Sequence, residues 1–463
     1  MKARPARLSD VLNSPTQPVS PRPARAERNG ARRPVGSKVN PFTSSRDRDK
    51  IQVHAKRGNS YSASANLLSP PLDTTSLLSP PHSLLGYRPP EQSRRRLKIV
   101  ILGLSISSSW GNGHATIYRG LVRELSARGH DVLFLERNAE GLAARRDLPS
   151  PPYGRAKLYS SVKVLKNRFT AAVHDADFVI VGSRIPEGIA VGEWVTGVAQ
   201  GATAFYDLDT LPTMANLASG KSDYVSPSLI PRYYMYLSAV GGPLLRHLEK
   251  HYGSPMARPL YHSADATFYF PEQRASKWDL GYLGDYGADN QRTLERLLIE
   301  PARRWGEGRF AVAGTRYPRS IRWPRNIKRL TRATPARRRA FCNSERFALN
   351  VTPSSPNAAA FFPGASLFEA AACGTPIISD FFQGIETFFK PDDEILISHS
   401  PDETLIYLEE ISELDRRRIG YRARERVLAR HTVRHRAVEL ENYALEVLKF
   451  TAGELASENY SVR

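Results

Sequence analysis

Cysteine is scarce in this 463-residue chain, which contains only Cys342 and Cys373. Both lie in apolar or helical contexts, so the sequence does not predict a disulfide framework, and a reducing cytoplasmic location is expected. Long apolar runs are also missing: no stretch of roughly eighteen apolar residues occurs, so no transmembrane helix is predicted. The first residues carry positive charge without an apolar segment behind it, so no secretory signal is expected.

Acidic residues are few at the N-terminal end. Residues 1–96 contain 18 Lys and Arg against 6 Asp and Glu, a net charge of +12, whereas the remainder contains 48 against 40, a net charge of +8. This stretch is rich in Pro, Ser and Arg, and it cannot bury enough apolar surface to offset the entropy lost on ordering. We therefore expect residues 1–95 to form a disordered basic tail.

The tail has two interpretations. It is either a solvated extension with no dedicated partner, or an electrostatic tether to an anionic membrane surface or to nucleic acid. The tether would place the protein at the inner face of the membrane. Because more than half of the excess charge lies on the tail, the overall pI is a poor guide to the folded part, and no specific nucleic acid is expected there.

Strand and helix patterns alternate from residue 97 onward. Residues 97–103 predict a buried strand, a polar glycine-rich loop follows, and a helix then places Ile117, Leu121 and Leu125 on one face. This is a βαβ unit with a parallel sheet. The pattern lapses around 264–277 and then restarts, which indicates a second α/β domain.

The predicted fold class is therefore α/β, with two Rossmann-like domains facing a cleft and a disordered N-terminal tail before them. The predicted divisions are the tail (1–95), the first domain (96–265), the second domain (266–430) and a C-terminal helix that packs back on the first domain (431–463).

The loop after the first strand is the first candidate ligand site. Gly111 and Gly113, on either side of Asn112, let backbone approach a ligand at the start of the following helix. The loop is not a dinucleotide-binding fingerprint, because the third glycine that this motif requires is replaced by Thr116. Glu136 is only a weak candidate for a ribose contact, so NAD binding is not expected.

His114 lies where the helix begins, and the helix dipole there lowers the pKa of an imidazole. A neutral histidine at the floor of a cleft could accept a proton from an acceptor hydroxyl. The alternative is that His114 caps the helix or packs the loop.

Asp207 and Asp209 follow an apolar strand. Two carboxylates in an Asp-x-Asp pattern could hold a divalent metal on a diphosphate, since alternation along the strand points both side chains the same way. A catalytic or acceptor-positioning role and a purely structural role stay open. Arg316, after another strand that ends in glycine, is either a phosphate contact or one member of a solvated cluster with Arg319, Arg322 and Arg325.

The segment 364–380 predicts a helix, a tight turn and a buried strand. Ser366 is expected to cap the helix, and Gly374 to adopt the left-handed conformation that ends it. Glu369 is the one charge in this helix, so it is either a surface residue or a ligand of vicinal hydroxyls. Gly374 and Thr375 would then bring backbone N–H groups to a diphosphate.

Together these segments resemble the two-domain, Rossmann-type glycosyltransferases of the GT-B fold, and more narrowly the bacterial CgeB-like family. The matching segments are 109–116, 205–210, 279–284, 367–380, 384–389 and 431–437. They span about residues 97–440.

The resemblance implies transfer of a sugar from a nucleotide-sugar donor to an unknown acceptor hydroxyl on a glycan, lipid or protein. It implies an acceptor-binding first domain and a donor-binding second domain, and no obligatory metal or cofactor. The implied donor-binding residues are Glu369, Phe368, Gly374, Thr375 and Arg316. The implied acceptor-side residues are Gly111, Asn112, Gly113 and Asp207. His114 and Asp209 are the catalytic candidates, and one or the other is expected to act on the acceptor hydroxyl.

Two positions depart from the family pattern. Phe361 stands where many retaining relatives have an acidic residue, and Ser366 stands where relatives carry an arginine. Arg316 could replace that cation. A nucleotide-sugar epimerase and a non-catalytic protein that binds sugar nucleotides are therefore the alternative functions.

Overall fold

The structure is a computed structural model. It describes residues 95–109, 113–139, 145–331, 334–353 and 361–460, with side chains up to residue 450. The predicted disordered tail, apart from Arg95, lies outside the described residues. So do the loop residues Gly111 and Asn112.

The first domain contains a seven-stranded parallel sheet with the order β3-β2-β1-β4-β5-β6-β7. Its elements are β1 (Lys98–Gly103), α1 (Gly113–Ala127), β2 (Asp131–Arg137), β3 (Arg155–Tyr159), α2 (Val162–His174), β4 (Phe178–Gly182), α3 (Gly188–Val198), β5 (Ala202–Asp207), α4 (Thr210–Ala218), β6 (Met235–Ser238), α5 (Pro243–Lys250) and β7 (Ala257–Pro259).

The second domain contains a six-stranded parallel sheet with the order β10-β9-β8-β11-β12-β13. Its elements are β8 (Trp278–Leu283), α6 (Ala288–Leu294), a π-helical turn (Glu295–Ile299), α7 (Glu300–Arg304), β9 (Phe310–Ala313), β10 (Ile327–Leu330), α8 (Pro335–Cys342), β11 (Glu345–Asn350), α9 (Ala365–Ala372), β12 (Ile377–Ser379), β13 (Leu396–Ile397), α10 (Pro401–Glu410) and α11 (Glu413–Arg430), after which α12 (Val433–Tyr460) ends the described chain.

The apolar run of β1 shows why the sheets are buried on both faces. Ile99 and Ile101 lie in one core cluster of the first domain, whereas Val100 and Leu102 lie in the other, on the opposite face of the sheet. When both faces of a sheet are covered by other parts of the chain, its strands need no alternation of apolar and polar residues. The two-domain α/β prediction is confirmed.

Counted from its own first strand, each sheet has the order 3-2-1-4-5-6, and the first sheet adds a seventh strand beside the sixth. In each sheet the second and third strands are added on one side of the first strand, and the fourth strand is then added on its other side. Ligands of such doubly wound sheets bind at the carboxyl ends of the strands flanking this reversal. The reversals lie between β1 and β4 in the first domain, and between β8 and β11 in the second.

The C-terminal helix α12 returns to the first domain. Ala437, Leu440 and Ala444 are buried in a core cluster of that domain. At its start α12 contacts α1 so closely that a Cβ on Gly120 would lie 2.6 Å from Val433. The chain therefore crosses between the domains twice, through the linker after β7 and through α12.

Two local predictions were wrong. The sequence pattern missed β3, because this strand reads Arg-Ala-Lys-Leu-Tyr, lies at the edge of its sheet and is mostly exposed. Helix α9 begins after Gly364, and no side chain caps it, so Ser366 is inside the helix and does not serve as its cap.

Candidate functional site

The first domain brings His114 and Asp209 into direct contact beside the β1/β4 reversal. His114 is the second residue of α1, and its Nε2 lies 2.8 Å from Oδ2 of Asp209. Both follow the carboxyl ends of their strands, β1 and β5. The sequence offered the two residues as separate catalytic candidates, and the parallel sheet brings them together.

Asp209 is held as an anion. Arg184 Nε lies 2.9 Å from its Oδ2, and the hydroxyl of Ser183 donates to the same oxygen. Burial opposes ionisation, but the hydrogen bonds from His114 and Ser183, with the charge of Arg184, lower the pKa of Asp209 to about 2. Arg184 and Ser183 follow β4, and they were not identified from the sequence because no motif marks them.

Asp207 is more deeply buried than Asp209, and it holds the backbone of Asp209 in place through a hydrogen bond. Its carboxylate is fully buried and accepts hydrogen bonds from the hydroxyls of Tyr236 and Thr213 and from the backbone N–H of Asp209. Burial raises the pKa of Asp207 to about 6. Because donors already surround this carboxylate and Asp209 is bonded to His114 and Arg184, the two do not form the open Asp-x-Asp metal pair that the sequence allowed.

His262 adds a second imidazole near the pair. Burial lowers its pKa to about 4. Its buried Nδ1 has no hydrogen-bond partner among the described residues. His262 follows β7 in the linker, where no sequence motif indicates a function.

Two carboxylates hold the loop after β1 in place. Glu136 accepts hydrogen bonds from the backbone N–H groups of Ile106 and Ser107 and from the Ser107 hydroxyl. Asp147 accepts hydrogen bonds from the backbone N–H and the hydroxyl of Ser109, and it also forms an ion pair with Arg119. Glu136 is therefore a loop anchor, and the weak expectation that it contacts a ribose is wrong.

The rest of this loop is only partly described. Gly113 is the first residue of α1, and a Cβ added to it would meet nothing within 4 Å. The glycine there is therefore not required by crowding within the described chain. The predicted acceptor-side residues Gly111 and Asn112 lie outside the described residues.

Glu369 forms the principal ion pair of the second domain's candidate site. It is 6% exposed, and its Oε2 accepts hydrogen bonds from Nη2 and Nε of Arg338 at 2.5 and 3.1 Å. Tyr269 lies against the same carboxylate, and its pKa is raised by burial and by the charge of Glu369. The alternative that Glu369 is a surface residue is wrong. Arg338 was not identified, because it is one of three consecutive arginines in α8.

Gly374 and Thr375 end helix α9. Gly374 has φ +74°, as predicted, and its N–H donates to Ala371. The N–H of Thr375 donates to Ala370, and its hydroxyl donates to the Cys342 carbonyl. Since both amides are used within the helix terminus, neither is available for a diphosphate in this arrangement, which corrects the predicted role of these two residues.

Phe368 is also placed differently from the prediction. It is fully buried and packs against Phe388, Phe389 and His431. It therefore contributes to the core under α9, and a direct donor contact is not supported.

Arg316 lies at the carboxyl end of β9, with φ +68° and a 70% exposed side chain. Its Nη2 is 3.3 Å from Asp285, which follows β8 and also accepts two hydrogen bonds from Thr315. A guanidinium with this exposure and a single nearby carboxylate can contact an anion. Its predicted role as a phosphate contact stays a prediction.

Asp380 is a further buried carboxylate, directly after β12. It accepts hydrogen bonds from the backbone N–H and the hydroxyl of Thr352, and burial raises its pKa to about 6. It therefore fixes the chain after β11 at the edge of the reversal.

Phe361 links the two domains at this edge. Its backbone forms an antiparallel bridge with Gly241, with N–H to carbonyl distances of 3.0 and 3.2 Å, while its ring packs over Gly384. Gly241 follows β6, and Phe361 follows β11. The carboxyl ends of the two sheets therefore meet here, and Phe361 has a structural role where many relatives have an acidic side chain.

Among the described residues, no group of three His, Cys, Asp or Glu side chains is arranged to hold a metal ion. Within the same part of the chain, no helix is both long and apolar enough to cross a bilayer.

Comparison with solved structures identifies the architecture. The chain is similar to Anabaena HepE in complex with UDP and glucose, with a TM-score of 0.52 and 12% identity over 78% of this chain and 100% of that one. It is also similar to sucrose-phosphate synthase from Thermosynechococcus elongatus, with a TM-score of 0.53 and 13% identity over 80% and 100% of the two chains. The chain has the GT-B fold.

Another GT-B neighbour is an alpha-glucosyltransferase solved with UDP and a 13-mer DNA, with a TM-score of 0.55 and 10% identity over 76% of this chain and 100% of that one. Residues 292–442, in the second domain and α12, match the family described as Glycosyl transferase-like. No curated protein sequence matches the chain.

Proposed function

We propose that this GT-B protein is a glycosyltransferase that moves a sugar from a nucleotide-sugar to an acceptor hydroxyl. The proposal rests on the contact between His114 and Asp209 beside the β1/β4 reversal of the first domain. The glycosyl transferase-like match in the second domain and the UDP complexes of two structural neighbours support a nucleotide-sugar donor. Segments 109–116 and 367–380 of this chain resemble the CgeB-like family and support membership of that family.

The proposed reaction uses His114 as the base. The imidazole accepts the proton of the acceptor hydroxyl, the acceptor oxygen bonds to the anomeric carbon, and the nucleoside diphosphate leaves with the electrons of the broken bond. Asp209 is ionised and 2.8 Å away, so it stabilises the imidazolium that forms. Asp207 and Arg184 keep Asp209 in place. No metal is needed for these steps.

Glu369 is the proposed ribose contact. One oxygen is oriented by Arg338, and the carboxylate can accept hydrogen bonds from the vicinal hydroxyls of a ribose. Arg316 is the proposed contact for the diphosphate, since the amides of Gly374 and Thr375 are used within α9.

Donor binding is tested by thermal shift with a panel of nucleotide-sugars. We expect at least one donor to stabilise the wild-type protein, and Glu369→Ala to abolish that stabilisation. The matched control is Glu394→Ala, because Glu394 forms a comparably buried pair with Arg426 in the same domain. A donor shift that survives Glu369→Ala unchanged contradicts the assigned role.

Transfer is tested by mass spectrometry of donor and acceptor mixtures. Formation of an isomerised nucleotide-sugar without any acceptor would instead identify an epimerase. Donor binding without transfer or hydrolysis would identify a non-catalytic protein, the function that the residues Phe361 and Ser366 favour.

A further inference from the structure

The second domain contains a long segment without negative charge. Between Arg309 and Ser344 there is no Asp or Glu, while ten arginines and one lysine occur. They are Arg309, Arg316, Arg319, Arg322, Arg325, Lys328, Arg329, Arg332, Arg337, Arg338 and Arg339. The chain after residue 96 has a net charge of +8, so without these 11 charges it would be −3. This segment therefore carries the whole positive excess of the folded part.

Five of these cations recur at every third residue and are all exposed. They are Arg316, Arg319, Arg322, Arg325 and Lys328, and we call them the arginine row. The residues between them are the ones that pack inward: Tyr317 and Ile327 are buried in the core, and Trp323 packs against it. The Asn326 amide donates to three carbonyls, those of Ala302, Trp305 and Gly308. The segment is thus anchored on one side and cationic on the other.

Few carboxylates neutralise the row. Among the described residues, only Arg316 of the five has a carboxylate within 4.0 Å, that of Asp285. Three other exposed arginines of the domain do have carboxylate partners: Arg417 pairs with Glu413, Arg418 with Asp415 and Arg422 with Asp393. Lys328 lies on the edge strand β10, where a cation also discourages strand pairing. That explanation does not cover Arg319, Arg322 and Arg325, which precede the strand.

The chemistry of the row favours discrete phosphate groups. Arginine presents a planar fork that binds phosphate through two hydrogen bonds, whereas a diffuse anionic surface would be served equally by lysine. Of the neighbouring aromatic residues, Tyr317 is buried and Trp323 is partly buried against the same core, so neither presents a fully exposed ring for stacking on bases or for insertion into a bilayer.

We propose that the arginine row binds the phosphodiester backbone of a linear polymer without reading its sequence. The row begins at Arg316, at the carboxyl end of β9 and so on the edge of the candidate donor site. The polymer would therefore carry the acceptor hydroxyl, and this last step rests on the proposed glycosyltransferase function.

The test measures binding to labelled polymers by fluorescence anisotropy at increasing salt, with the full chain. The probes are a short duplex DNA and a poly(glycerol phosphate), which separate the two sources of phosphodiester. The variant Arg319→Gln/Arg322→Gln/Arg325→Gln removes the three arginines of the row that have no carboxylate within 4.0 Å in the described part of the chain. The control Arg417→Gln/Arg418→Gln/Arg422→Gln removes three exposed but paired arginines.

We expect one polymer to bind the wild-type protein with an affinity that falls steeply with salt. Each lost phosphate contact lowers the slope of log K against log salt by about 0.9, so the row variant should lower it by roughly 2 to 3. The control variant should change it by less than about 1. An unchanged slope in the row variant overturns the proposal, and so does row-dependent binding to phosphatidylglycerol vesicles with no binding to either polymer.

The same variant separates this inference from the proposed function. Thermal stabilisation by a nucleotide-sugar should be equal in the wild type and the row variant, because Arg316 and Glu369 are retained. A donor shift without polymer binding would refute only the arginine row. Polymer binding without any donor shift would refute only the glycosyltransferase.

Discussion

The two domains share one topology but differ in how their charged groups are arranged. In the first domain the polar groups at the reversal are bonded to one another, from the buried His114 through the partly buried Asp209 to the buried Asp207. In the second domain the principal carboxylate is paired with an arginine, and a row of cations faces outward. The strand order decides where a ligand can bind, and the side chains decide which chemistry takes place there.

One feature is common to both domains. Asp207 and Asp380 occur at the carboxyl end of the fifth strand of each sheet, each is buried, and each accepts a threonine hydroxyl and a backbone N–H. Each therefore fixes a loop beside its own reversal. The difference between the domains lies in the residues that these loops carry.

The largest expected effect concerns the proposed base. We expect His114→Ala to lower the rate of transfer by about 10²- to 10⁴-fold, because the acceptor hydroxyl loses its proton acceptor. Donor binding, which the second domain provides, should be unchanged in a thermal shift. His174→Ala is the control, since His174 pairs with Asp175 at the end of α2, away from the reversal. Wild-type rates in the His114 variant would contradict the assignment.

The buried aspartates predict a pH dependence of stability. The pKa of Asp207 is about 6 in the folded protein and near the ordinary 3.8 when unfolded. Between these values the folded state retains a proton that the unfolded state has lost. The free energy of unfolding therefore decreases as pH rises from about 4 to 6, by about 3 kcal/mol for this group.

Urea unfolding at a series of pH values checks this. Asp207→Asn should remove that part of the slope, and Asp380→Asn should remove a similar part, since burial also raises its pKa to about 6. The low pKa of Asp209 acts in a separate window: it stabilises the fold above about 4, and that contribution is lost as pH falls toward 2. A slope that is unchanged in both variants would show that neither group is protonated at pH 5.

The ion pair of the second domain should combine stability with binding. Arg338→Met leaves the carboxylate of Glu369 buried without its cation, and we expect a loss of about 2 kcal/mol in the free energy of unfolding, reduced by the partial exposure of Arg338. Donor affinity should fall as well. Arg426→Met breaks the comparable pair with Glu394 and should lower stability without changing donor affinity. Equal donor binding in both variants would reduce the pair to a structural role.

The smallest expected effect compares two glycines. Gly374→Ala should lower the free energy of unfolding by about 1 kcal/mol, because φ is +74° at this residue. Crowding does not add to this effect, since the nearest atom to an added Cβ, on Pro271, would be 3.7 Å away. Gly113→Ala should be neutral or slightly stabilising, since this residue opens a helix and a Cβ would meet nothing. Chemical denaturation of the two variants measures both. Equal effects would show that the left-handed conformation at Gly374 is not maintained in solution.

The sequence by itself determined the two-domain α/β architecture. Apolar runs such as 97–103 alternate with helical patterns, and this alternation is enough to predict two α/β domains. The prediction is possible because the periodicity of apolar residues is a local property, which can be read without knowing which segments will be in contact. The left-handed turn at Gly374 was predicted in the same way, from local chemistry. His114, Asp209 and Glu369 were selected as candidate site residues on the same grounds.

Only the tertiary structure decided which groups meet. Arg184 joins Asp209 because β4 and β5 are adjacent, and Arg338 joins Glu369 because α8 packs beside α9; neither pair is close in sequence. Local pattern likewise could not show that the amides of Gly374 and Thr375 are used within α9, or that Phe361 pairs with Gly241. These outcomes depend on hydrogen-bond competition and on contacts between distant segments, which become definite only when the chain is folded.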